Sequence, residues 1–97
     1  MIVSLGPVGA FEVMREEDLG SFAVHSESTI PEISADHGYL DQDGRHVWVR
    51  VDAIREAVAE RVSPAWHPRF GAMVDYANAS NWLNDQGTHI RGHLCSP

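Results

Sequence analysis

Lysine is missing from this chain of 97 residues, and all seven of its basic residues are arginine. That removes lysine Schiff-base chemistry and the phosphate-loop lysine, and with them two large enzyme classes. Cysteine is nearly missing as well. Cys95 is the only one, so no intrachain disulfide can form, and its place near the end of the sequence suits an exposed, inessential thiol. No apolar run approaches the roughly 18 residues of a membrane helix, and Met1–Leu5 lacks the basic start of a signal peptide. The expectation is a soluble cytoplasmic protein with no membrane partner.

Positive charge is also scarce. The formal net charge is -7, which repels phosphates, so nucleic acid is not an expected partner. The charge is uneven: residues 1–43 hold nine acids and one arginine, whereas residues 44–97 hold five acids and six arginines. Such halves can attract each other or leave an acidic face for a basic partner, and the first reading is preferred. The sequence has no Gly-x-Ser-x-Gly, His-Glu-x-x-His, Walker loop or Gly-x-Gly-x-x-Gly, so the hydrolase and nucleotide folds that carry them have no support.

What is present is an ordinary globular composition, 43% hydrophobic and 22% charged. At this length it suits one domain with a core that needs neither metal nor disulfide. Met1–Leu5, closed by Gly6-Pro7, and Ala10–Met14 read as strands, and the alternation through Ser21–His25 suggests a third. Ser26–Asp36 reads as a loop. Tyr39-Leu40, the turn Asp41-Gln42-Asp43-Gly44 and Arg45–Val51 form a hairpin, with Val47, Val49 and Val51 on one face and His46, Trp48 and Arg50 on the other.

Asp52 is a candidate cap for a helix to about Val62, with Ile54, Val58 and Val62 at four-residue spacing. Ser63-Pro64 restarts a second helix that ends near Ser80, its apolar stripe being Trp66, Phe70, Met73 and Ala77; Pro68 also permits a later start. Trp82–Leu94 repeats the pattern of Tyr39–Val51 without gaps, an aromatic and leucine, then a polar turn ending in glycine, then a β-like run. The predicted fold is therefore α+β: a small, mainly antiparallel sheet with a helical pair (about 52–62 and 64–80) packed on one face and a final strand at about 88–94. A winged helix-turn-helix is the alternative.

On that final strand His89, Arg91, His93 and Cys95 share a face. His46 could add a third imidazole for a metal if the strands were neighbours. Yet His89 and His93 would stand about 13 Å apart on a straight strand, so a solvated face is preferred and no metal or other cofactor is expected. Asp41–Gly44 resembles a calcium loop only superficially, and a plain turn is the better reading.

Candidates for acid–base work are Asp36, His37, His46, His67, Asp75 and Tyr76, of which His46, His67, Asp75 and Tyr76 form the preferred catalytic set. Trp48, Trp66, Trp82 and Tyr39 are candidate ligand-binding aromatics, although such rings more often fill a core. The function expected from these features is a non-catalytic binding or regulatory module, homodimeric, with a small-molecule or protein partner. A small cofactor-independent isomerase or cyclase is the alternative.

Overall fold

The computed structural model describes residues 1–95. Six strands, β1 (Ile2–Leu5), β2 (Phe11–Met14), β3 (Ala23–Ser26), β4 (Gly38–Leu40), β5 (His46–Arg50) and β6 (His89–Cys95), form one sheet in the order β2-β1-β3-β6-β5-β4. Helices α1 (Val51–Val58) and α2 (Trp66–Ala79) lie in the chain between β5 and β6. The fold is the expected α+β. The β1–β2, β4–β5 and β5–β6 pairs are antiparallel, while β3 runs parallel to both β1 and β6. The last strand therefore lies in the middle of the sheet.

Alternation sorts the strands into two faces. Val3, Val13, Val24, Val47, Val49 and Ile90 are buried on one side, where Ile54 and Val58 of α1 and Trp66, Phe70 and Ala77 of α2 complete the core. His25, His46, Trp48, Arg91, His93 and Cys95 stand at the alternate positions of β3, β5 and β6, on the opposite face. A winged helix-turn-helix does not hold: α2 buries Trp66 and Phe70 in the core instead of presenting a free recognition face.

The helices are shorter than the sequence suggests. Val51 begins α1 instead of extending β5, although its N–H still makes the last bond of that pairing, to the Thr88 carbonyl at 2.9 Å. Asp52 sits in the first turn and does not cap; Arg50 is the cap residue, without a side-chain bond. After Val58 the chain tightens into three-residue turns (Ala59 N–H to Glu56 O, Arg61 N–H to Val58 O), so the helix stops short of Val62. Similar turns from Ser63 and Pro64 precede α2, and Pro68 falls in its first turn, where a missing N–H costs nothing. The Trp66 indole N–H donates to the Glu16 carbonyl at 2.7 Å and the Arg61 guanidinium to the Val13 carbonyl at 2.7 Å, tying the helical region to β2 and the loop after it. Among the described residues no helix is long and apolar enough to cross a membrane.

Candidate ligand-binding cleft

Strand β6 changes partner halfway along. In its first half Leu83 bridges Ile90 antiparallel, and the Arg91 N–H donates to the Trp82 carbonyl at 2.8 Å. From His93 onward that side of β6 pairs with β3 instead. Gly92 marks the change: a Cβ there would lie 2.6 Å from the Phe22 ring and 2.9 Å from Val24, so only glycine lets Phe22 lie against the strand. The two partners do not close on each other, and between them opens a cleft of about 250 Å³.

Its walls are apolar. Leu19 to Phe22 form one side, Tyr76 and Trp82 are on the other, and Met73, Ala77 and Ile90 contribute the rest. Tyr76 and Trp82 meet edge to face, with centroids 6.5 Å apart, and are 68% and 50% exposed, so these rings have surface free for a ligand. The loop wall is pinned from beneath, where the Met1 amino group donates to the carbonyls of Asp18 and Ser21 at 2.7 and 2.9 Å. Asp18 braces it further. The Ser21 hydroxyl and the Gly20 N–H donate to its carboxylate, and in that order they hold its pKa below the ordinary value.

His46, Arg91 and His93 bring polar groups to the cleft. His46 and His93 are cross-strand partners whose rings meet edge to face at 5.4 Å. Asp43 organises this end: one carboxylate oxygen accepts the backbone N–H groups of Arg45 and His46, while the other lies 2.7 Å from His46 Nδ1 and 3.0 Å from Arg91. The Arg45 N–H is the main cause that brings the Asp43 pKa down to about 2, with His46 adding to it against some desolvation. A carboxylate on Nδ1 places the proton there and leaves His46 Nε2 as a free acceptor. Arg91 also binds Asp41 at 2.9 Å, so its charge is matched within the turn.

Of the acid–base candidates, His46 and Tyr76 line the cleft and His67 and Asp75 do not. His67 accepts from the Arg55 guanidinium at 2.9 Å near the start of α2, and Asp75 is exposed on the same helix. Of the candidate aromatics only Trp82 lines the cleft. Trp66 is buried and stacked on Phe70 at 4.8 Å, and Trp48 stacks with Tyr39 at 6.3 Å on the open face of the sheet. His89 does not join His46 and His93; it stands opposite Arg50 and beside Tyr39. Burial, then the Arg50 charge, lowers its pKa.

The sequence puts Phe22 in the third strand and gives neither it nor the loop before it a site role, and the only local hint of one is the glycine in mid-strand at position 92. A second hollow, of about 480 Å³, lies beside Arg50 and Glu56, but that arginine is already bound to Glu56 at 3.2 Å and to the Asp36 carbonyl at 2.6 Å. Comparison with protein-family models, curated proteins and solved structures gave no match.

Proposed function

We propose that the chain is a non-catalytic binding module that holds a small amphipathic molecule in the cleft at the β6 partner change. The observation that carries this reading is a cleft with two exposed aromatic rings over half-buried and buried aliphatic walls, and histidines at one end. About 250 Å³ lies just below the usual range of ligand sites, which suits a single flat ring system with one hydrogen-bonding group. The apolar body rests against Trp82 and Phe22, and the polar end meets His46 Nε2 or His93.

Calorimetric titration with indole and with indole-3-carboxylate tests it. Both should bind, and Trp82→Ala should weaken both by about tenfold through loss of ring contact. Equal affinity in wild type and variant would remove the cleft from the account. The module is further proposed to be a cytoplasmic homodimer, because β2 and β4 are sheet edges and Met14, Tyr39 and Leu40 on them are exposed. A reducing compartment suits the free, exposed Cys95 thiol. Light scattering that gives a monomer at micromolar concentration would overturn the dimer.

One observation favours an enzyme as a second reading. The ionised Asp43 holds a histidine that lines the cleft with Nε2 free, which is the arrangement of a general base and its orienting carboxylate. An isomerase or cyclase of this kind would lose nearly all turnover in His46→Gln while retaining indole binding. If no turnover of small carbonyl substrates is found in the wild type, the non-catalytic reading stands.

A further inference from the structure

The strand neighbourhood that the sequence could only suppose brings His46, His93 and Cys95 to adjacent positions on the open face of the sheet, although their donor atoms do not yet converge as Asp41, Asp43 and His46 do. His46 and His93 are cross-strand partners, and Cys95 follows His93 by two residues on the same face. Two imidazoles that share one tetrahedral ion have their ring centroids about 5 Å apart, since each nitrogen lies about 2 Å from the metal. The observed separation is 5.4 Å.

From strand spacings, the Cys95 Cα lies about 7 Å from that of His93 and about 8 Å from that of His46, within joint reach of a thiolate and an imidazole on one ion. The thiol and the His93 ring are exposed, so a change of rotamer meets little resistance. His25 pairs with Cys95 across β3, but it lies about 12 Å from His46 by the same spacings and falls outside the set.

The surroundings suit a cation. Asp43 holds His46 through Nδ1 and so leaves Nε2 for a ligand, as a carboxylate behind a metal-bound histidine does. Asp41 and Asp43 bring two negative charges against the one of Arg91, which they hold at 2.9 and 3.0 Å. We propose that His46, His93 and Cys95 form a site for one divalent ion of the zinc class, with Asp43 as the positioning carboxylate and the fourth coordination place left to solvent. Two nitrogens and one thiolate select zinc or cobalt over magnesium and calcium, which prefer oxygen. This inference does not rest on ligand binding in the cleft.

The test is titration of the whole reduced protein with Co²⁺, followed by absorption. The wild type should take up one equivalent and show tetrahedral d–d bands together with a thiolate-to-cobalt charge-transfer band. Cys95→Ser should abolish the charge-transfer band and leave a weaker complex. His93→Ala should weaken binding by about a hundredfold and Asp43→Asn by about tenfold. His89→Ala and Trp82→Ala should titrate as wild type. Circular dichroism checks that each variant is folded. The proposal is overturned if the wild type takes up no Co²⁺ at millimolar concentration, if His93→Ala binds as tightly as wild type, or if His89→Ala is weakened as much as His93→Ala. Loss of indole binding with Co²⁺ uptake intact would sink the cleft alone.

Discussion

In the β4–β5 hairpin the Asp41 N–H donates to the His46 carbonyl at 2.9 Å and the Gly44 N–H to the Asp41 carbonyl at 3.0 Å; in the hairpin from Trp82 into β6, Asn84 donates to His89 at 3.0 Å and Gly87 to Asn84 at 2.9 Å. Leu40 faces Val47 in the first as Leu83 faces Ile90 in the second, and the turn glycines have φ of 68° and 72°. Strands β5 and β6 then pair so that Trp48 meets Arg91, its own equivalent. The two hairpins are therefore related by a local two-fold axis through that pair.

Their side chains break the symmetry. In the first turn Asp43 accepts the N–H groups of Arg45 and His46; in the second, Asn84 accepts those of Thr88 and His89. One hairpin uses a carboxylate and the other an amide for the same backbone task, so only the first can hold Arg91 and an imidazole by charge. At one end of the β5–β6 pair His46 faces His93, and at the other Arg50 faces His89. Backbone equivalence is set by leucine and glycine, whereas the chemistry is set by the residues these leave free. The second hairpin also has the shorter outer arm, because Trp82 serves as cleft wall instead of continuing as strand.

Both hairpins send alternate residues into the core that contains Phe70, so the largest effect is expected there. Phe70→Ala should cost about 3 to 5 kcal/mol in urea denaturation, since the ring is wholly buried. A loss below about 1 kcal/mol would mean that the core beneath the hairpins is loose. Next come the turns. Gly44→Ala and Gly87→Ala force alanine into a left-handed conformation with no new clash, and each should cost about 1 kcal/mol. Costs that differ by more than half of this would break the equivalence of the hairpins.

The smallest effect concerns the two equivalent histidines. His89, whose neighbours are Arg50, Tyr39, Thr88 and Asn84, has its pKa lowered below the ordinary 6.5. The unfolded chain then binds the proton more readily than the folded one, so stability is intact above about pH 6.5 and falls as pH drops from there toward the folded value. His89→Gln should flatten the stability profile in that window. An unchanged slope would contradict the burial and Arg50 effects on this imidazole.

Much of this comparison was legible in the sequence. Val47 and Val49 of β5, the matching leucine and glycine positions and Trp66, Phe70 and Ala77 of the helical stripe lie where local periodicity puts them, whereas Val51 begins α1 and Met73 of the same stripe is only half-buried, at the cleft. The helices are shorter than their periodic patterns by a few residues because the chain tightens into three-residue turns after Val58 and before Trp66. The parallel pairing of β3 with β6 and the contact of Phe22 with Gly92 join segments far apart in the chain, and no local pattern encodes them. His46 and Tyr76 stood out by residue type. Their common cleft depends on that long-range pairing, and so do the exclusion of His67 and Asp75 and the inclusion of Phe22.

The central claim is that the cleft at the β6 partner change binds a flat amphipathic molecule, and chemical-shift mapping with indole-3-carboxylate tests it most directly. In ¹⁵N spectra of the wild type, the account predicts shifts concentrated at Leu19–Phe22, Tyr76, Trp82 and Ile90–His93, with the Trp82 indole N–H among the largest and the Trp66 indole N–H unmoved. Shifts scattered over the surface, or centred on Arg50 and Glu56 at the second hollow, would contradict it.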